Sequence, residues 1–546
     1  MEPPDSHRAI GDQPVSTTPS AWRPLHAPTF RNLLIANVFS DVGAFMQSVG
    51  AAWLMISLKA GPMYVALTQT ASALPFFLFS LPAGALGDIV DRRKLILWTE
   101  IWMAAMAGAL AALVIMGWMS PWLLLAFTFA ISAGDAFEAP TWRAVLPDLV
   151  AKEDFEAASA LNGIEFNLAR AVGPGLAGLL IAAFGVGTAF VVNAASFIGV
   201  IYVLARWKHP HRKRTAPTEK VVGATIAALR YIRYSTLIRS LIIRSGAIMF
   251  FASALLALLP TIAHNVSRSP IAFGLLLGCF GIGAILGAIV LPRARARWSI
   301  ETVVSGAVSI VGIVTVASGF GHELFTLAAL MLVGGAAWLT FISLVSATIQ
   351  KLAPDWVRAR VLAVFILVFQ GGVAAGSALW GTIAERAGLS TSLLWAGLGA
   401  MATTAFGLIS RLPDTAIDVT PWNHWRMPCI PDGLEVELDA GPVLVTVEYI
   451  VKHEHASEFL RTMRRYERVR RRDGASRWGI YRDTEHPDLY LETFIVHSWA
   501  EHLRQHERIT RDDSELEERV NRYAAQEPKV RHLIYATTSL QTSGPG

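Results

Sequence analysis

Twelve long apolar blocks take up most of this sequence, at 32–57, 64–89, 95–117, 121–142, 158–183, 187–206, 240–264, 270–292, 301–320, 324–349, 359–384 and 390–411. At 1.5 Å per residue even the shortest crosses a hydrocarbon core of ~30 Å. In lipid no water satisfies the backbone, so such a block must be a helix that bonds to itself. Only 16% of the residues are charged and 53% are hydrophobic. Soluble domains carry roughly 25% charged residues, so membrane spans are expected rather than a soluble protein with many buried helices. Cys279 and Cys429 are too few for a disulfide framework. Residues 1–28 are polar and Pro-rich, show no cleavable signal peptide, and are expected to be disordered.

The connections between blocks alternate in charge. One set carries Arg92, Arg93 and Lys94, then Arg143 and Lys152, the basic segment 206–239, Arg293, Arg295 and Arg297, and Lys351, Arg358 and Arg360. The other set carries only Lys59, Arg268 and Arg386. The positive-inside rule assigns the first set and both termini to the cytoplasm of a cell-membrane protein. The net charge of +5 therefore needs no nucleic acid to explain it, because the basic residues gather beside the apolar blocks. Topology does not explain Asp88 and Asp91 in the turn GALGDIVDRRKLIL, 84–97, since basic residues alone would serve it.

The sequence also repeats itself. At an offset of 203, Gly173, Gly178 and Gly185 of the fifth block fall on Gly376, Gly381 and Gly388 of the eleventh, and Gly84 falls on Gly287. Two six-helix halves are expected, 29–206 and 240–411, joined by a linker at 207–239. Transporters that alternate access around a midplane site are built from such halves.

Gly84-x-x-x-Asp88-x-x-Asp91-Arg92-Arg93 resembles the signature loop between helices two and three of the major facilitator superfamily, with Ile89 and Asp91 departing from the usual pattern. Gly173-Pro174-Gly175-Leu176-Ala177-Gly178 resembles the helix-five motif of that superfamily's antiporters. The whole chain resembles the transmembrane secretion effector family, which includes enterobactin-exporter-like proteins. The matching stretches are MQSVGAAWLMISL, LPFFLFSLPAGALGD, FNLARAVGP and SWAEHLRQHERIT. The resemblance implies a latch at Gly84, Asp88, Asp91, Arg92 and Arg93. There the Asp88 carboxylate meets the start of the eleventh helix when the cytoplasmic side shuts, worth roughly 0.3–1 kcal/mol at a helix N-terminus. It also supports Arg170 together with Asn162, Asn167, Gly173, Pro174 and Gly178 as a helix-five motif.

Ionisable residues inside spans are costly and mark function. Asp41, Glu100, Asp135, Glu138, Glu165 and Arg170 all lie in the first half; the second has carboxylates only at span ends. A carboxyl that is neutral in one state and charged in another can carry a proton. Asp41, Asp135, Glu138, Glu165 and Arg170 are the coupling candidates. Asp135 and Arg170 lie at matching depth and could form a switchable pair, the alternative being a static salt bridge. Gln370 and Trp338 are candidates for the substrate path, though an aromatic residue there could equally face lipid or other helices.

The linker contains VVGATIAALRYIRY, in which Val222, Ile226, Leu229 and Ile232 recur at helical spacing beside Arg230 and Arg233, as in a helix lying on an anionic leaflet. After a second linker, 412–434, residues 435–546 read as a cytoplasmic ferredoxin-like α+β domain of order βαββαβ. It resembles the α+β barrel of antibiotic-biosynthesis monooxygenases, which pair through their sheets, so a homodimer is one expectation. Tyr490, Trp499, His502 and His506 are its pocket candidates; His502 and His506 suit a metal pair by spacing, but a solvated helix face is the expected reading, with no metal and no cofactor.

The fold class expected is an all-α polytopic membrane protein of twelve helices with this α+β domain appended. The function expected is proton-driven efflux of a small amphipathic substrate (siderophore, drug or metabolite) through the lipid bilayer. An uncoupled facilitator, or a transporter fused to a catalytic domain, is the alternative. No Gly-x-x-x-x-Gly-Lys-Ser/Thr loop is present to bind a nucleotide.

Overall fold

All twelve apolar blocks are helices long and apolar enough to cross a membrane. The structure is a computed structural model that describes residues 21–207, 221–409, 411–412, 418–422 and 436–536. The side chains of Ala85, Gly87, Asp88, Ile89, Val221, Val222, Ala224 and Ile409 lie outside the described set, as do residues 1–20 and most of the two linkers.

The first half comprises α1 (Pro28–Ser57), α2 (Gly61–Ile89), α3 (Arg92–Ile115), α4 (Pro121–Leu149), α5 (Phe155–Phe184) and α6 (Gly187–Arg206). A short helix, α7 (Val221–Tyr234), precedes the second half. That half comprises α8 (Thr236–Ser267), α9 (Pro270–Arg297), α10 (Ile300–Ser318), α11 (Leu324–Leu352) and α12 (Asp355–Ala387). It closes with α13 (Leu389–Ala402), which runs through one tight turn into α14 (Phe406–Ile409). Proline in the first turn starts α1, α2, α4 and α9, where a missing N–H costs nothing. The Ser120, Ser269 and Ser299 hydroxyls accept from backbone N–H groups that begin α4, α9 and α10.

The repeated glycines occupy equivalent places in the two halves. Gly185 and Gly388 end α5 and α12 with φ of +87° and +94°, a conformation L side chains rarely adopt. A methyl group on Gly178 would sit 2.8 Å from the Pro270 carbonyl oxygen of α9, and one on Gly381 would sit 2.5 Å from Ala66 Cβ of α2. Those two contacts, α5 on α9 and α12 on α2, join the halves through close backbone approach. Gly84 and Gly287 match in sequence but not in packing. Gly287 lies against the Ala336 backbone of α11, whereas nothing stands within 4 Å of where a Gly84 methyl would be.

Among the described residues, the hydrogen bonds between the halves lie toward the end away from the basic turns, while glycine contacts such as Gly371 on Phe77 continue the packing to mid-helix. The Met63 N–H reaches Glu385 Oε2 at 3.4 Å, the Thr70 hydroxyl donates to the Ala374 carbonyl at 2.9 Å, and the Trp53 and His264 rings meet edge to face at 5.8 Å. At the basic end, Arg244 of α8, only 3% exposed, makes a two-pronged bond to Glu301 of α10 at 2.7 and 2.9 Å. The Glu301 carboxylate also accepts from the Leu412 N–H at 3.2 Å, which fastens the chain leaving the last span. The outer surface is apolar, with Ile282, Ile285, Leu286, Ile289 and Val290 all exposed along α9, as suits a helix facing lipid.

The C-terminal domain has β1 (Val443–Ile450), α15 (Ala456–Asp473), β2 (Arg477–Arg482), β3 (Leu489–Val496), α16 (Trp499–Arg508), α17 (Arg511–Asn521) and β4 (Lys529–Ile534). The sheet order is β2-β3-β1-β4, antiparallel throughout, as the βαββαβ reading requires, with the second helix split in two. α7 packs on α8, α12 and α15, which sets its buried side. Ala227, Ala228, Tyr231 and Ile232 turn inward, while Ile226 and Leu229 stay exposed on the side left for a bilayer. Of the expected apolar stripe, Ile232 is therefore protein-facing, and Val222 lies outside the described side chains.

Candidate functional site

The mixed charge of the turn after α2 ties the first half to itself. The Asp91 carboxylate accepts from the Lys94 N–H at 3.2 Å and so caps α3. Arg92 donates to the Ala144 carbonyl at 2.9 Å and pairs with Asp148 of α4 at 3.5 Å. Arg93 donates to the Leu204 and Ala205 carbonyls at 2.8 and 2.7 Å, covering the end of α6 where the helix dipole favours a cation. The turn thus clamps α3, α4 and α6 together. The Asp88 side chain lies outside the described residues.

Inside the first half, carboxyl groups gather between α1, α3, α4 and α5. Asp41 of α1 and Glu165 of α5 meet side chain to side chain, and so do Glu100 of α3 and Glu138 of α4. The Thr99 hydroxyl stands 3.0 Å from Glu138 Oε2. Glu100 is 3% exposed and Glu165 7% exposed; one oxygen of each is buried without a partner among the described residues. A buried, unpartnered carboxyl oxygen is expensive unless a proton neutralises its group.

Asp135 does not pair with Arg170 in this structure. The charged groups that bear on Asp135 are Asp41 and Arg143. Arg170 instead folds along its own helix, its guanidinium 4.9 Å from the Phe166 ring centre.

The helix-five motif packs on α1 through Gly173 and on α9 of the other half through Pro174 and Gly178. A methyl on Gly173 would meet Phe45 Cβ of α1 at 2.7 Å, and one on Gly274 of α9 would meet the Pro174 carbonyl oxygen at 2.5 Å. Gly281 approaches Ala171 Cα and the Arg170 carbonyl closely as well. Asn167 donates back to the Gly163 carbonyl of its own helix at 2.7 Å, and Asn162 is half-buried on the same helix. Gln370 is half-buried midway along α12. Trp338 is 8% exposed, packs on Phe280, and lines a small apolar cavity with Ile248, Val311 and Phe341, which places it in the core of the second half. Beyond the expected residues, a hydrogen bond from Asn193 of α6 to Gln47 of α1 buries two amides in the first half.

The C-terminal domain docks at the basic end, on α7 and the start of α12. Arg230 donates to Glu501 of α16 at 2.6 Å, and the Arg508 guanidinium lies 4.3 Å from the Trp356 ring centre. The Tyr231 and Trp356 rings meet edge to face at 5.6 Å, with Arg472 over Tyr231 at 5.3 Å. Burial alone would raise the Glu501 carboxyl, but Arg508 first, then Arg230, hold it down at about 2. A carboxyl lowered on folding stabilises fully above its ordinary value near 4.5, and that contribution is lost as pH falls toward 2. Spin labels at the exposed positions Ile226 and Glu507 are therefore expected to keep one sharp separation from pH 8 to about 5 and to lose it only in stronger acid. Arg230→Ala is expected to broaden that separation already at neutral pH.

Tyr490, Trp499, His502 and His506 are all buried, so the solvated helix face expected for the histidines is not what forms. Trp499 packs on His502 at 5.4 Å, and Tyr490 on Phe459 at 5.4 Å. The sequence reading passed over His532 of β4, whose ring is 4.7 Å from His502. The alternation of KVRHLI, with His532 in step with Val530 and Ile534, is the signal that could have found it.

A family model described as transmembrane secretion effector matches residues 19–540. The chain is 24% identical over 374 residues to the multidrug efflux pump Tap of Mycolicibacterium fortuitum, across 66% of this chain and 90% of that protein. It is 24% identical to the staphyloferrin A transporter of Staphylococcus aureus, across 68% and 93% of the two chains. It is 26% identical to the enterobactin exporter EntS of Citrobacter koseri, across 70% and 89%. Among solved structures, the nucleoside transporter NupG matches at 14% identity and a TM-score of 0.56, over 70% of this chain and 98% of that one. A bacterial homologue of the human lysosomal transporter Spinster, in an inward-facing and unoccupied conformation, matches at 14% identity and a TM-score of 0.54, over 71% and 95%. At those identities the structural matches speak for the fold. The family and the relatives are transporters, not enzymes.

Proposed function

The chain belongs to the transmembrane secretion effector family of the major facilitator superfamily, and from that premise we propose that it exports a small amphipathic molecule of siderophore, drug or metabolite type, by alternating access and in exchange for protons. It is a multi-pass membrane transporter. The observation that carries the coupling is the carboxyl cluster. Two carboxyl pairs sit between the helices of one half, while the other half has its acidic groups at span ends. A hydrogen bond between two carboxyls needs a proton on one of them, so a pair that closes and parts as helices move takes up and releases a proton.

The hydrogen bonds between the halves lie toward the end away from the basic turns, which supports reading this arrangement as the state open toward the basic end, the cytoplasmic end by the positive-inside rule. In the opposite state α2 and α12 would close at that end and bring Asp88 to the start of α12. There Asp355 and Arg358 now pair with each other at 2.6 Å. Asp88→Asn keeps size and removes charge. It is expected to weaken that closure and slow transport several-fold without preventing insertion, as measured by uptake into inverted vesicles. A variant that transports at the parental rate would remove the latch.

The test of the main reading is a pH gradient across the same vesicles. Accumulation that follows the gradient supports proton exchange. Accumulation that only equilibrates identifies an uncoupled facilitator instead.

A further inference from the structure

Three imidazoles converge inside the C-terminal domain. His502 and His506, four residues apart on α16, project from one side of that helix. His532 lies opposite Val445 in the β4–β1 ladder, which puts it on the helix-covered face of the sheet. The Nε2 atoms of His502 and His506 are 3.3 Å apart, and one ring nitrogen from each of the three histidines lies within 4.8 Å of the others. We propose that His502, His506 and His532 form a binding site for one divalent transition-metal ion of the zinc and cobalt class.

Geometry comes first. Zinc–nitrogen bonds of ~2.0–2.1 Å in a tetrahedron place neighbouring nitrogens roughly 3.3 Å apart. The two α16 imidazoles already have that spacing, and the third nitrogen, within 4.8 Å of the others, has at most ~1.5 Å to close, within reach of a side-chain torsion. The protonation state agrees. Burial, then His532 and His506, push the His502 imidazole down to about 3, and burial also lowers His532. Both are thus neutral near pH 7, the form that binds a metal.

An outer partner is also in place. His502 Nδ1 lies 3.3 Å from Gln505 Oε1. A neutral imidazole that donates its Nδ1–H there turns the Nε2 lone pair toward the other two rings, the usual arrangement behind a metal-bound histidine. A single N–H···N bond between His502 and His506 is the other chemistry their spacing permits, but it makes no use of His532.

The donor set selects the ion. With three imidazoles and neither carboxylate nor thiolate, it does not suit calcium or magnesium, which take oxygen, and it suits zinc, cobalt, nickel or copper. Three protein ligands leave a fourth position for water or an outside ligand. α16 also carries Glu501 and Arg508, which grip Arg230 and Trp356, so an ion held on this helix bears on the contact between the C-terminal domain and the transport helices.

The test uses the full-length protein in nanodiscs, purified through a histidine-free tag and stripped with chelator. Co²⁺ is titrated by its visible ligand-field absorption, and Zn²⁺ by its displacement of cobalt. One equivalent of Co²⁺ with the intense absorption of a four-coordinate site is expected. Gln505→Leu is expected to weaken binding ~10–100-fold, the usual effect of removing an outer-shell partner, and His532→Asn to weaken it further. His532 is half-buried on an edge strand, so this variant is chosen to keep the fold, with near-ultraviolet circular dichroism as the check. Absence of stoichiometric cobalt absorption in the parent protein overturns the proposal, whatever the variants do. So does a folded His532→Asn that binds cobalt as tightly as the parent.

Discussion

Glu165→Gln is expected to abolish accumulation driven by a pH gradient and to leave exchange of substrate for substrate near the parental rate. Glutamine fills the same space beside Asp41 and still offers a hydrogen bond, but it can neither take nor release a proton. Exchange needs only the moving halves, whose seam at Pro174, Gly178 and Gly274 the substitution does not touch. The size of the loss follows from the driving force. One pH unit supplies ~1.4 kcal/mol per proton, so at one proton per substrate it sustains about a tenfold concentration ratio. The variant is expected to fall from that ratio to equality in inverted vesicles.

Asp41→Asn is expected to have the same effect as Glu165→Gln, and the double variant no more than either single one, because the two carboxyls titrate as one unit. Asp135→Asn is the contrast. Asp135 lies within reach of Asp41 but belongs to neither carboxyl pair and makes no ion pair with Arg170, so gradient-driven accumulation is expected to weaken rather than vanish. Full accumulation by Glu165→Gln would move the proton site to Glu100 and Glu138, whose Glu138→Gln variant then becomes the decisive one.

The difference between Asp135 and Glu165 shows where sequence reading runs out. Depth was legible, because each residue advances a helix by 1.5 Å and the apolar blocks mark the membrane. Rotation was not. Most of these helices are apolar nearly all round, so no polar stripe says which side faces a neighbour. Asp135 and Arg170 match in depth yet form no ion pair in this structure, while Asp41 and Glu165 meet side chain to side chain. The repeated glycines were legible as a repeat, and for Gly178 and Gly381 the shared packing followed; for Gly84 and Gly287 it did not, because a glycine says that close approach is allowed, not that it happens. In the C-terminal domain the expected βαββαβ order is the one that forms, as an antiparallel sheet of order β2-β3-β1-β4. Its docking was invisible. Arg230 and Glu501 stand 271 residues apart, and each looks like an ordinary surface charge of an amphipathic helix.

The largest stability effect is expected at Glu492. This residue faces inward from β3 with 0% exposure, and its carboxylate accepts from Arg470 at 3.1 and 3.4 Å, from the Trp478 ring N–H at 2.8 Å and from the Tyr449 hydroxyl at 3.1 Å. The Arg470 guanidinium lies between the Tyr466 and Phe494 rings, 4.6 and 4.7 Å from their centres. Burial by itself disfavours the charge on Arg470, and Glu492 is the first of the neighbours that offset it. Removing one partner of such a pair leaves the other charge in an apolar core and costs ~3–5 kcal/mol, whereas replacing both with apolar groups of similar size is often neutral. Glu492→Ala is therefore expected to speed hydrogen exchange in β1 and β3 of the full-length protein by a hundredfold or more, since ~1.4 kcal/mol is a factor of ten. The double variant Glu492→Leu with Arg470→Met is expected to recover most of that protection. Equal losses in the single and double variants would mean that the carboxylate stabilises the sheet through Trp478 and Tyr449, and that its pairing with Arg470 matters little.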